Sequence, residues 1–261
     1  MNKRKKLSMI LALGLALCLF AGCGQNVTKS DIAYIQGKGT LLVGVTNFAP
    51  MDYPKNGEWI GFDADLAKLV GEELGVTTEF VEINWDQKEE LLKNKDIDVV
   101  WNGLTLTEEV AENMTCSLAY CNNAQVVVVP KEKAEEYRTE EDVASLLFAV
   151  EAGSAGEKIA IEKGFSMSPE RTQSEALKKV VDGSCDAGII DLLMAGAMVG
   201  EGTRHKSLAV AVQLTAEEYV VGCRKGSDLA AYLDEELTRL SEEGKMREIA
   251  TLYGVQDALR Y

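Results

Sequence analysis

Side chains able to do acid–base, nucleophilic or metal chemistry are few in this 261-residue chain. There is one histidine, His205, so a multi-histidine metal site is excluded and a Ser–His or Cys–His mechanism must use that imidazole. Ser154 in the run Ala152-Gly153-Ser154-Ala155-Gly156, followed by Asp191 and His205, has the chain order of a serine hydrolase. Against it, Ala152 replaces the first glycine of a nucleophile elbow, and no oxyanion-loop motif accompanies the serine. Ser154 and Asp191 each stand where a helix begins, so either could simply cap it. Glu151 closes an apolar run, where a carboxyl can face a cleft and bind a cation or move a proton, or point to solvent. Six cysteines occur without a CxxC pair, which leaves zinc-ribbon and thioredoxin-like chemistry unsupported. No catalytic group, metal site or cofactor is expected.

The elements that must position these residues alternate. Thr40–Thr46, Thr77–Ile83 and Ile97–Trp101 read as strands, with helices at the periodic run from Phe62 to Leu74 and at Trp85–Lys93. Ala124–Val129 is a further strand before Pro130, and the charged segment Lys131–Asp142 reads as a crossing between two lobes. Alternation restarts with strands at Leu146–Val150, Ala187–Ile190 and Tyr219–Cys223. Helices are expected at Ala155–Lys163, Ser174–Val181, Asp191–Met198, Asp228–Leu240 and Lys245–Tyr253. Two α/β units, with ligands at strand C-termini and between domains, is the expected organisation.

Composition narrows the function classes. With 27 basic and 42 acidic side chains the net charge is -15, which repels phosphate backbones, so nucleic-acid binding is excluded. The basic residues gather at the start: Lys3, Arg4, Lys5 and Lys6 precede the apolar run Leu7–Phe20, too short to span a bilayer and built like a secretory signal. Phe20-Ala21-Gly22-Cys23 resembles a lipobox, with Phe where Leu is usual, which implies removal of residues 1–22 and lipidation of Cys23. The mature chain would then lose four basic groups and no acidic ones, for a charge of -19, and hang from a polar tether over residues 23–37. Cys116, Cys121, Cys185 and Cys223 would remain, as buried thiols or as disulfides in any of three full pairings.

The ordered series Leu41-Leu42-Val43-Gly44-Val45, Phe48-Ala49-Pro50-Met51, Gly61-Phe62-Asp63-Ala64-Asp65-Leu66-Ala67 and Asn84-Trp85-Asp86 resembles the extracytoplasmic solute-binding proteins of polar amino acid ABC transporters, family 3. The resemblance continues through Asp96–Thr107, Glu151–Gly156 and Tyr219–Gly226 and covers residues 38 to 254. It implies an α/β fold, a two-lobed clamshell of the type II periplasmic-binding-protein kind, each lobe a mainly parallel sheet with flanking helices. Lobe 1 would comprise residues 38–129 and 218–261, lobe 2 residues 130–217. A small-molecule ligand, an amino acid or related amine, would bind in the cleft and be passed to ABC permease subunits. The chain would be a monomer on the extracytoplasmic face of the membrane, held there by its lipid anchor.

Carried over by position, Phe48 and Trp85 match the walls around the ligand side chain. Asn102, Gly103 and Thr105 match the strand-end loop that hydrogen-bonds its polar head. Gly153, Ser154 and Ala155 match a loop whose amides and helix dipole favour an anion. Asp191 matches the carboxylate that pairs with the ligand α-ammonium. The family's arginine five residues after Thr105, which forks onto the ligand α-carboxylate, is Val110 here, and Glu151 stands where a neutral residue is usual. These departures predict a cationic ligand with little or no anionic head, in a cleft with no identified cation unless Arg171 or Arg204 reaches inward. The competing expectation is an ordinary polar amino acid, its carboxylate held by the Ser154 and Ala155 amides. A dehydratase on the same fold, with Glu151 as the acid, and a ligand sensor for a receptor are the other readings.

Overall fold

The apolar runs become interior strands of two sheets in a computed structural model whose described residues are 30–261. The expected signal segment 1–22, the lipidation site Cys23 and tether residues 24–29 lie outside the described residues. In chain order the strands are β1 (Thr40–Val45), β2 (Tyr53–Lys55), β3 (Glu58–Ile60), β4 (Thr77–Glu82), β5 (Val99–Thr105), β6 (Met114–Cys116) and β7 (Cys121–Asn123). They continue as β8 (Gln125–Pro130), β9 (Leu147–Glu151), β10 (Ser166–Glu170), β11 (Ala187–Asp191), β12 (Leu208–Gln213) and β13 (Glu217–Arg224).

The first sheet runs β4-β1-β5-β13-β6, with β7 also on β13. β4, β1 and β5 are parallel and β13 is antiparallel to β5. Every residue of β5 is buried, as a strand covered on both faces requires. The second sheet runs β10-β9-β11-β8-β12, parallel from β10 to β11 and antiparallel through β8 and β12. Each lobe therefore has a parallel half continued by antiparallel strands. Among the described residues no helix is long and apolar enough to cross a membrane.

Three expectations are corrected. The strand at Gln125–Pro130, expected in the first lobe, pairs in the second sheet between β11 and β12, a central place that suits its four consecutive buried valines. The chain thus passes between sheets at residue 124 and again at 214–216, not at Lys131–Asp142. That charged segment instead folds onto the second lobe. It forms a 3-10 turn at Lys131–Glu136, tied by Lys131 N–H to Ser207 O at 2.8 Å, and a capped helix at Glu140–Val143.

The third correction is the tether, part of which is the helix Asp31–Lys38, with Ile35 fully buried. Its anchor is electrostatic, so apolar periodicity does not reveal it. Asp31 accepts from Arg224 Nε at 3.0 Å, Arg224 Nη2 reaches Asp98 at 3.1 Å, and Lys38 completes the cluster on Asp98 at 2.6 Å.

Candidate functional site

The parallel strands of both lobes end at one cavity of about 500 Å³, the place where open α/β sheets bind ligands. Phe48 follows β1, Trp85 follows β4, and Asn102, Gly103 and Thr105 end β5. Across from them Glu151 ends β9, Ser154 and Ala155 open the helix Ala155–Lys163, and Asp191 ends β11. All nine line the cavity. Val110 also lines it, buried near the start of the helix Glu108–Asn113.

The floor of the site is Asp191, which is 4% exposed. Its Oδ1 accepts from Gln125 Nε2 at 2.8 Å, from the Tyr219 hydroxyl at 2.8 Å and from Asn123 Nδ2, while Oδ2 accepts from Gln173 Nε2. Burial and the neighbouring Glu217 raise its pKa to about 7, against the pull of those donors. Although it precedes the helix Leu192–Met198, its side chain makes no cap bond there.

Glu151 faces the cavity, not solvent, and is 3% exposed. Burial first and the charge of Asp191 second raise its pKa to about 8, opposed by Lys88 and by the side chains of Gln173 and Thr46. Its Oε1 is buried without a hydrogen-bond partner.

On the first-lobe side the Asn102 side chain is saturated. It donates to Asp52 Oδ2 at 2.7 Å and Thr46 O at 3.2 Å, and accepts from Thr46 N and Oγ1. Thr105 Oγ1 donates to Glu217 at 3.1 Å. Gly103 N–H donates to Asp63 Oδ2 at 2.7 Å, and a Cβ at this position would stand 2.3 Å from Phe48 Cε1. With φ +57 as well, glycine is what lets the Phe48 ring lie against β5, edge-on to Tyr219 at 6.4 Å.

Three amides of the second-lobe loop are spent internally. Gly153 N–H goes to the Glu157 carboxylate at 2.7 Å, Ser154 N–H to Glu151 O at 3.2 Å, and Glu157 N–H to Ser154 Oγ at 3.2 Å. Ser154 is therefore an N-cap, and the chain's own Glu157 already occupies this anion-favouring end. His205, in the turn after the helix Leu192–Met198, is not in the cavity lining, so no serine triad is assembled. Arg171 lies outside the lining too, paired at the surface with Glu82 at 2.5 Å, as does the exposed Arg204.

The expectation of a cleft without a cation is overturned by Lys88, 8% exposed in the cavity wall, and by Lys158 nearby in the lining. Lys88 Nζ donates to Trp85 O at 3.2 Å and to Gly153 O at 2.9 Å and lies 5.1 Å from the Trp85 ring centroid. Burial lowers its pKa. Nothing in the helical run Lys88–Asn94 marks this lysine out from a solvated one. Gln173, Asn123, Gln125, Glu217 and Tyr219 were likewise invisible as partners of Asp191, because their placement depends on pairing between distant strands.

Against these two lysines the lining carries seven carboxyl groups: Asp86, Glu89, Glu109, Glu151, Glu157, Glu162 and Asp191. Among the described residues no three His, Cys, Asp or Glu side chains converge as a metal site, and Cys116, Cys121, Cys185 and Cys223 are free thiols.

Comparison with known proteins gives a family match over residues 41–256, to the bacterial extracellular solute-binding proteins, family 3. The chain is 23% identical over 253 residues to the arginine-binding extracellular protein ArtP of Bacillus subtilis, covering 94% of this chain and 96% of that one. It is 26% identical over 261 residues to a probable histidine-binding protein of Neisseria gonorrhoeae, covering 97% and 96%. A substrate-binding protein of an ABC uptake transporter from Streptococcus pneumoniae, solved with bound histidine, superposes with a TM-score of 0.81 at 27% identity, covering 90% of this chain and all of that one.

Proposed function

The chain belongs to the bacterial extracellular solute-binding proteins, family 3, and from that premise we propose that it is the substrate-binding subunit of an ABC importer whose ligand is a cationic amino acid or amine. The observation that carries the ligand class is the charge of the cavity, seven carboxyl groups against two lysines, with Asp191 at its floor and Val110 where the family's carboxylate clamp would stand. An arginine fork contributes about 1.5 to 3 kcal/mol through charge-assisted hydrogen bonds, and the loop at Ser154 offers a poor substitute because Glu157 has taken its leading amide. Two of the relatives are named for arginine and histidine, both basic amino acids, which agrees with this reading.

In this reading Asp191 accepts the ligand ammonium, while Phe48 and Trp85 flank its carbon chain. Asn102, whose side chain is saturated, shapes the wall and makes no new bond through that side chain. Closure of the two lobes on the ligand then forms the surface that a permease recognises. No covalent step is assigned to this subunit. Glu151, buried and protonated near neutral pH, is also suited to donate a proton to a leaving group. Recovery of the ligand unchanged after prolonged incubation would exclude that dehydratase-type role.

The anchor belongs to the same proposal: cleavage before Cys23, lipidation of its thiol, and a monomeric chain on the outer face of the membrane. Substituting Cys23→Ala should abolish labelling by radioactive palmitate and leave residues 1–22 uncleaved, seen as a heavier chain on a gel. The ligand class is tested by thermal melting of the purified protein with lysine and cadaverine, arginine and agmatine, and glutamine and its decarboxylated amine. A ligand at 100 times its dissociation constant adds about 2.7 kcal/mol, enough to raise the melting temperature visibly. Amines that stabilise as well as their parent amino acids support the reading. Stabilisation by glutamine alone would sink it.

A further inference from the structure

Glu151 and Asp191 end neighbouring parallel strands, and the side chain of Gln173 serves both. The two carboxyls are nonetheless solvated very differently by the protein. Asp191 receives four side-chain donors, while Glu151, 97% buried, has an Oε1 with none. Lys88, the cation nearest in kind, is committed to the carbonyls of Trp85 and Gly153. A carboxylate oxygen buried without a donor beside a second carboxylate is costly in its ionised form, and with Lys88 committed to carbonyls and no ligand cation bound the cheapest remedy is a proton. A primary ammonium brings three donors in its place.

We propose that Glu151 and Asp191 act as one acid pair that keeps a proton while the cleft holds no cation and exchanges it for the ammonium of the ligand on binding. The inference rests on the cationic-ligand reading above and adds the currency of binding. The O–H bond of the pair breaks, its electrons stay on the carboxylate, the proton goes to the buffer, and N–H donors take its place. With Glu151 raised to about 8 and Asp191 to about 7, the pair still carries a proton near neutral pH. The charged and titratable groups facing it are Lys88 and Asp86 from the first lobe, Glu217 and Tyr219 from β13, Glu157 and Lys158 from the helix Ala155–Lys163, and Glu170 beside Glu151 on β10. Of these, Glu217 and Lys88 set the local field, since they are the neighbours that shift Asp191 and Glu151.

The sign follows from competition. Protons and ammonium contend for the same oxygens, so amine affinity rises with pH until the pair is ionised or the amine itself loses its proton. The experiment is calorimetric titration of the purified full chain with cadaverine at pH 6, 7 and 8, repeated in phosphate and in Tris, whose ionisation heats differ. The expected result is release of close to one proton per cadaverine at pH 7 and about tenfold tighter binding from pH 6 to pH 7. Glu151→Gln, with its fold checked by melting, should lose most of that release and flatten the pH dependence while still binding cadaverine more weakly. Equal heats in both buffers and a pH-independent dissociation constant for the wild-type chain overturn the exchange but leave the cationic reading standing. No binding of cadaverine, agmatine or lysine at pH 8 overturns both.

Discussion

Lys88 Nζ donates to the carbonyl oxygen of Gly153 at 2.9 Å, a bond from a first-lobe helix to a second-lobe loop that is made beside the ligand cavity. The approach is close enough that a Cβ on Gly153 would stand 2.6 Å from Asp86 Cα, and φ there is +72. The contact between the lobes at this point therefore depends on the missing side chain at Gly153 as much as on the lysine that grips its carbonyl.

Gly153→Ala is expected to separate folding from binding. The left-handed conformation costs an alanine about 1 to 2 kcal/mol within the second lobe, but the clash with Asp86 arises only when the lobes meet. Melting of the unliganded variant should fall by a few degrees, while affinity for the best ligand falls at least about tenfold, equivalent to 1.4 kcal/mol. Calorimetry and small-angle scattering with and without ligand measure both effects. Undiminished affinity would show that this approach is dispensable.

Val110→Arg should move the ligand preference from amines toward amino acids. The substitution places a guanidinium in the cavity wall, where it can take a carboxylate with both arms. The ratio of lysine to cadaverine affinity is expected to rise roughly 10- to 150-fold, from the 1.5 to 3 kcal/mol of a charge-assisted pair. An unchanged ratio would mean that a carboxylate never approaches this wall.

Arg224→Leu should unfasten the helix Asp31–Lys38. Arg224 holds Asp31 and Asp98 with side chains that are 9%, 9% and 0% exposed, so its removal leaves these buried acids with one lysine each, Lys95 at 3.6 Å and Lys38 at 2.6 Å. A loss of about 3 to 5 kcal/mol is expected by urea denaturation. Adding Asp98→Asn should recover part of it, since two buried acids would otherwise share the field of Lys38 and Lys95 alone, and a double variant no more stable than Arg224→Leu would argue against an electrostatic cause.

The unliganded protein should be more stable in mild acid than in mild alkali. Burial holds Asp63 at about 7, Asp191 at about 7 and Glu151 at about 8, and raises Asp52 well above its usual range. Unfolded carboxyls titrate near 4, so the folded chain binds more protons, and stability from these groups is whole below about pH 4 and lost as pH rises through 7 to 8. Asp31, lowered by its cations, acts oppositely, but its contribution is already complete above about pH 4. Melting at pH 5.5 and 8.5 checks the sign. Asp52→Asn or Glu151→Gln should flatten the profile, whereas a melting point that rises to pH 8.5 in the wild type contradicts the argument.

Legibility of the fold varied with how locally each element is determined. The helix Ala155–Lys163 could be delimited from sequence because Ser154 caps it and Gly164, at φ +69, ends it. By contrast β10 (Ser166–Glu170) carries Pro169 and little apolar character and is a strand only because it has the edge place beside β9, where proline is tolerated. The helix Asp31–Lys38 is equally hidden, since its docking partners Arg224 and Asp228 lie nearly 200 residues away in the chain.

The sequence by itself determined the family-level plan: alternating strands and helices, an acidic body, and Phe48, Trp85, Asn102, Glu151, Ser154 and Asp191 at strand ends, because apolar period and capping residues act over a few neighbours. Tertiary structure alone decided which lobe owns Gln125–Pro130, that Asn102 is spent on Thr46 and Asp52, and that Lys88 crosses to Gly153. Those outcomes depend on which strands become neighbours and which buried polar atoms find partners. Such pairings join residues 50 to 112 positions apart, as Asn102 to Asp52 and Thr105 to Glu217 show, and no local pattern encodes them.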